Sequence, residues 1–181
     1  MTVYFLQGAG VPESDMSPQR YPLLGRVHSV FGSADVKAPP MPAPDDPNAQ
    51  AWMDCMDVVL ANVGPSDVVV GHSLGGSVFL KWVSERQANL NAKALLCCAA
   101  PYWGTGGWDG DSFALTGDIE AASAGIRQIV FCSAKDDDIV EIDHLNLYAG
   151  LLPRSEFVRL ETGGHDLDTD EVDRVLRDLS A

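Results

Sequence analysis

The chain predicts an α/β domain with a doubly wound, mostly parallel sheet, and three observations lead there. Apolar runs of strand length recur along its 181 residues. Most of them are continuous instead of alternating, as expected for strands covered on both faces. Segments with helical spacing lie between them, so strand and helix alternate throughout. A chain of this length that is 46% hydrophobic can bury a core without disulfides or metals, and one domain spanning 1–181 is expected.

The runs are "VYFL" at 3–6, "ADVKA" at 34–38, "DVVVG" at 67–71, "AKALLCCAA" at 92–100, "RQIVFCSA" at 127–134 and "SEFVRL" at 155–160. Trp52, Met56, Val59, Leu60 and Val63 share one helical face that stops at Gly64, a natural residue to follow a helix. "GGSVFLKWVSERQ" supplies another helix. Val172, Val175, Leu176 and Leu179 form the last stripe, with Asp168 and Glu171 spaced as a capping box. His28 and His144 fall on helices and read as surface or satisfied histidines.

Two segments break the alternation. "APPMPAPDDP", 38–47, is a stiff proline-rich connector, since its P-x-x-P has no basic flank suited to a peptide-binding domain. "PYWGTGGWDGDSF", 101–113, follows the fourth strand at the carboxyl edge, where such sheets bind ligands. Its Tyr102, Trp103 and Trp108, with Phe113, are therefore candidates for a substrate-pocket wall, against the alternative that they cover a core edge.

Charge and composition exclude some classes. A net charge of −14 with no basic stripe repels nucleic acid and anionic membrane surfaces. No run approaches the roughly eighteen apolar residues a membrane span requires, and "MTVYFLQGAG" has neither the basic flank nor the apolar length of a signal peptide. A cytoplasmic protein is expected. Cys55, Cys97, Cys98 and Cys132 lack C-x-x-C spacing and read as reduced thiols, so no metal site and no cofactor are expected.

The chemistry concentrates at Gly71-His72-Ser73-Leu74-Gly75. G-x-S-x-G gains force here because a strand precedes it and a helix follows, the context of a tight turn that presents a strained nucleophile above the sheet. A serine alone is a poor nucleophile and needs a base and a group to orient that base. His72 is expected to point away and pack beneath the turn. His165 follows the last strand through a glycine pair and precedes the last helix, which puts it at the same edge as Ser73. The acid should come from the loop between them in chain order, where Asp136, Asp137 and Asp138 are adjacent; Ser73, Asp137, His165 has the required order.

These residues resemble the α/β-hydrolase superfamily, in particular the small lidless serine hydrolases grouped with retinoblastoma-binding protein 9. The likeness rests on "FLQGAG" after the first strand, "GHSLGG", "SAKDDDIV" and "GGHD", spread over nearly the whole chain. It implies a three-layer, six-stranded sheet of order 2-1-3-4-5-6, lacking the first two strands of larger members. In the family pattern, often D-P-[IV]-V, one residue separates the acid from an apolar pair, which selects Asp137, with Asp138 in the proline position and Ile139-Val140 as the pair. Glu141 stands where a second proline is common, which keeps Asp136 as a rival. The family's oxyanion hole implies the backbone N–H groups of Leu74 and Ala9, with Gly8 or Gly10 as alternatives by one residue.

The reading is a serine hydrolase acting on a small-molecule ester-like substrate, a carboxylic ester or thioester, through an acyl-enzyme. The alternatives are acyl transfer to another acceptor with the same residues, or a protein-binding module on a hydrolase scaffold. A dinucleotide-binding reading of Gly8-Ala9-Gly10 fails because Glu13 replaces the third glycine.

Overall fold

A computed structural model describes residues 1–32, 35–86 and 90–180. Ala34 and Gln87, assigned from sequence to a strand and a helix, lie outside these residues. In chain order the elements are β1 (Val3–Leu6), α1 (Pro22–Phe31), β2 (Val36–Lys37), α2 (Ala49–Val59), β3 (Val68–His72), α3 (Leu74–Arg86), β4 (Ala92–Cys98), α4 (Ile119–Ala122), β5 (Ile126–Ala134), α5 (His144–Leu151), β6 (Glu156–Leu160) and α6 (Asp170–Ser180). The strands form one six-stranded sheet in the order β2-β1-β3-β4-β5-β6, and every neighbouring pair is parallel.

Strand side chains alternate between two cores, which is why the central strands read as unbroken apolar runs. Val3, Phe5, Val68, Val70, Leu96 and Cys132 face α1 and α6, meeting Leu24, Val27 and Leu176. Tyr4, Leu6, Val69, Leu95 and Phe131 face the opposite layer, meeting Trp52, Met56, Val78 and Trp82. Cys97, Cys98 and Cys132 are buried free thiols within these cores. No helix among the described residues is long and apolar enough to cross a membrane.

Two helix boundaries differ from the sequence reading. The α2 helix ends at Val59, five residues before Gly64, with the Leu60 N–H closing on Met56 O. The Asp67 carboxylate accepts the Gly64 N–H at 3.0 Å, and Pro65 disfavours helical backbone at Gly64, so the chain turns early toward β3. At α6 the cap is Thr169, whose Oγ1 accepts the Glu171 N–H at 3.4 Å. Asp168 does not serve as the cap because Arg26 of α1 claims its carboxylate at 2.8 Å.

The sheet order reverses at β1, with β2 on one side and β3 on the other. Loops leaving the carboxyl ends of β1 and β3 therefore part to opposite layers and leave a crevice between them, the usual place for a ligand in such sheets.

Candidate active site

Ser73 is the single residue between β3 and α3, and it holds φ at +51°. Left-handed backbone is costly for a residue with a side chain and persists only where surrounding structure enforces it. The enforcement is close packing of the turn. A Cβ on Gly75 would lie 2.4 Å from Gln7 O, and one on Gly71 would lie 2.6 Å from Gly76 Cα. Ser73 is itself held by its N–H to Cys98 O at 2.8 Å. These contacts bring the turn against the β1 loop, where a Cβ on Gly8 would meet Ser73 Cβ at a tight 3.0 Å.

The β1 loop is fixed by the buried Gln7. Its Nε2 donates to Val11 O at 2.6 Å and its Oε1 accepts the Met41 N–H at 3.1 Å. Gly10 N–H donates to Pro44 O at 2.8 Å, so the proline-rich connector braces the same loop. Gly8 N–H donates to Tyr21 Oη at 2.9 Å. With Gly8 and Gly10 engaged, Ala9 N–H is the one of the three without an acceptor among the described residues. Leu74 N–H, at the first position of α3, is likewise without one, as the first turn of a helix requires.

His165 and Asp137 meet across the carboxyl ends of β5 and β6. His165 Nδ1 lies 3.0 and 3.2 Å from the two Asp137 oxygens. The Asp137 side chain is fully buried and that of His165 is 15% exposed. Burial alone would raise the Asp137 pKa, but hydrogen bonds from His165, Val140 N–H and Ile139 N–H outweigh it and hold the carboxyl below its ordinary range. An ionised Asp137 must accept, so Nδ1 donates, and in the neutral imidazole it is then Nε2 that presents the lone pair. Among the described residues Ser73 Oγ makes no hydrogen bond; the contact between serine and imidazole is open in this structure.

Asp136 does not reach the imidazole. Its carboxylate accepts the N–H of Gly164 at 2.8 Å and of Gly163 at 3.3 Å, bracing the glycine pair that leads to His165.

His72 is buried beneath the turn. Its Nε2 donates to His165 O at 2.9 Å, and its Nδ1 accepts from the Tyr21 hydroxyl. Burial, with His165 adding to it, pushes the His72 pKa down to about 4, so the ring is neutral. Tyr21 was not legible as part of this site, since nothing in the local sequence marks its hydroxyl as reaching His72. His144 is also buried, its Nδ1 accepting the Tyr102 N–H at 2.8 Å.

A cavity of about 260 Å³ opens beside His165 and His72, walled by Ala9, Val11, Pro12 and Tyr21, with Arg20 and Asp166 also in its lining. Tyr102, Trp103 and Trp108 do not line it. Trp103 stacks edge-on against Trp108 and tilted against Phe113, while Tyr102 sits against Tyr148. Trp103, Phe113 and Tyr102 pack onto the α2–α3 side of the core. All four, Trp108 included, stay half-buried as they pack on one another and on that core.

The comparisons with known proteins follow the same lines. The Serine hydrolase family model matches residues 29–171, a span that holds Ser73, Asp137 and His165 and excludes the β1 loop. A sequence search of curated proteins finds no match. Among solved structures, the ydeN gene product from B. subtilis is similar over 98% of this chain and 97% of that one, with a TM-score of 0.74 at 17% identity. Est1E from Butyrivibrio proteoclasticus is similar over 98% of this chain and 86% of its own, with a TM-score of 0.68 at 12% identity. Alpha/beta hydrolase domain-containing protein 10 from mouse gives 97% and 86%, a TM-score of 0.62 and 13% identity. At these identities the likeness establishes the α/β-hydrolase fold. With a family match over well over half its length, the chain belongs to the serine hydrolase family.

Proposed function

We propose that this hydrolase cleaves a small ester-like substrate, a carboxylic ester or thioester, with Ser73 as nucleophile, His165 as general base and acid, and Asp137 as the group that orients His165. The observation that carries the reading is the Asp137–His165 pair, which leaves a free Nε2 lone pair at the edge of the sheet that bears the Ser73 turn.

Ser73 Oγ turns to His165 Nε2, which takes its proton as the oxygen attacks the substrate carbonyl. Hydrogen bonds of this kind are often open without substrate and close in the reactive complex. Asp137 keeps the Nδ1 proton in place and offsets the charge of the imidazolium. The oxyanion meets the N–H groups of Leu74 and Ala9, neither of which has a protein acceptor among the described residues. One such donor contributes about 3–4 kcal/mol to the transition state. His165 then protonates the leaving group, and after its departure activates a water to release the acid.

A cavity of about 260 Å³ lies below the usual range for ligand pockets, roughly 300–1,000 Å³. It suits a short acyl or alcohol group. Turnover of short-chain p-nitrophenyl esters by the wild type, abolished in Ser73→Ala, is the expected result. Unchanged turnover in Ser73→Ala contradicts the proposal.

A further inference from the structure

We infer that Tyr21 and His72 are positioning residues that fix the oxyanion loop and the His165 loop relative to each other through one continuous chain of hydrogen bonds. The inference rests on the reading of Ser73, His165 and Ala9 given above.

The chain has one direction. Gly8 N–H donates to Tyr21 Oη at 2.9 Å, the Tyr21 hydroxyl donates to His72 Nδ1, and His72 Nε2–H donates to His165 O at 2.9 Å. Each donor is determined by its neighbour. The His165 carbonyl can only accept, so His72 must carry its proton on Nε2. Nδ1 must then accept, and the Tyr21 hydroxyl, having given its proton to Nδ1, takes the Gly8 N–H on its lone pair. Both residues are 3% exposed, and each polar atom of the chain has its partner within the protein.

The two ends of the chain are what make it more than a satisfied buried pair. One end is the backbone of Gly8, packed against Ser73 and immediately before Ala9, whose N–H is the donor left for the oxyanion. The other is the backbone of His165 itself. The ring of His72 lies between, 4.8 Å from that of His165 and next to Ser73 in the chain. Asp137 sets the rotation of the imidazole, whereas Tyr21 and His72 set the distance between the base and the oxyanion donor. A fully satisfied buried network of this kind holds one geometry.

Tyr21→Phe removes only the hydroxyl and keeps the ring that packs edge-on to Phe5 at 5.1 Å. Its expected effect on short-chain p-nitrophenyl ester hydrolysis is a fall in kcat of about tenfold, from misplacement well under 1 Å, with KM within about twofold. The rate of fluorophosphonate labelling at Ser73 falls in parallel. His72→Gln keeps an amide donor in the place of Nε2 for His165 O and removes the Nδ1 position on which the Tyr21 hydroxyl is seated. The double variant Tyr21→Phe/His72→Gln should lose little beyond the worse single variant, as members of one network do. Tyr148→Phe is the control. It removes an equally buried hydroxyl, bonded to Pro101 O at 2.8 Å and outside this chain, and kcat is expected to stay within about twofold at a temperature where all variants are folded.

An active wild type whose kcat is unaffected by Tyr21→Phe overturns the positioning role and leaves the hydrolase reading intact. So does an equal loss in Tyr148→Phe, or a double variant whose losses multiply. A wild type without Ser73-dependent turnover overturns the hydrolase reading and this inference with it.

Discussion

Asp136 and Asp137 are adjacent in the chain yet hold the His165 loop at different points: Asp137 Oδ2 lies 3.0 Å from the imidazole Nδ1, and Asp136 Oδ1 accepts the Gly164 N–H at 2.8 Å. One orients the ring and the other braces the backbone that carries it.

The two substitutions should therefore separate. Asp137→Asn removes the buried charge and favours the wrong imidazole tautomer, for which a loss in kcat of up to about 10⁴ is expected. Asp136→Ala removes acceptors at an exposed turn where water can replace them, and a loss of about tenfold or less is expected. Steady-state kinetics on one short-chain ester checks both. A larger loss from Asp136→Ala than from Asp137→Asn would reverse the assignment.

The Ser73 turn makes an opposite pair of stability predictions. Gly75→Ala forces a Cβ to within 2.4 Å of Gln7 O and 2.5 Å of Leu6 O, both backbone atoms that cannot move alone. A loss of at least about 1–3 kcal/mol is expected. Gly150→Ala, in α5, places its methyl where nothing lies within 4 Å and should gain up to about 1 kcal/mol from helix propensity and unfolded-state entropy. Urea unfolding monitored by tryptophan fluorescence measures each.

His72 adds a pH dependence to stability. Its pKa is pushed down to about 4 in the folded chain, against about 6.5 for an unfolded histidine, so between these values the unfolded state binds more protons. Stability is fully present above about pH 6.5, falls as the pH drops toward 4, and levels off below for this group. The loss is on the order of 3 kcal/mol. His28 and His144 are shifted in the same direction by burial, so the wild type alone does not isolate His72. His72→Gln does, and its unfolding midpoint should fall less steeply than that of the wild type from pH 7 to pH 4.5.

Much of this architecture was legible in the sequence because the signal was local. Continuous apolar runs reported the central strands to within a residue or two, since a strand buried on both faces needs apolar side chains at every position. The Ser73 turn was legible for the same reason: Gly71 and Gly75 meet backbone within 3 Å, a demand that only glycine satisfies. What was not legible depended on partners far along the chain. Arg26, 142 residues from Asp168, moves the cap of α6 to Thr169. Tyr21 reaches His72 across 51 residues, and the split roles of Asp136 and Asp137 follow from where the His165 loop folds back. The aromatic loop at 101–113 illustrates the converse. Its composition suggested a pocket wall; Trp103, Trp108 and Phe113 pack against one another, half-buried, and the cavity beside His165 is lined by the β1 loop instead.

The central claim is that His165, oriented by Asp137, makes the hydroxyl of Ser73 reactive. Mass spectrometry of the folded protein after fluorophosphonate treatment tests it most directly. The expected result is one adduct, located on Ser73, absent in Ser73→Ala and formed at least about a hundredfold more slowly in His165→Ala. An adduct at another residue, or labelling of Ser73 at an undiminished rate in His165→Ala, would contradict the account.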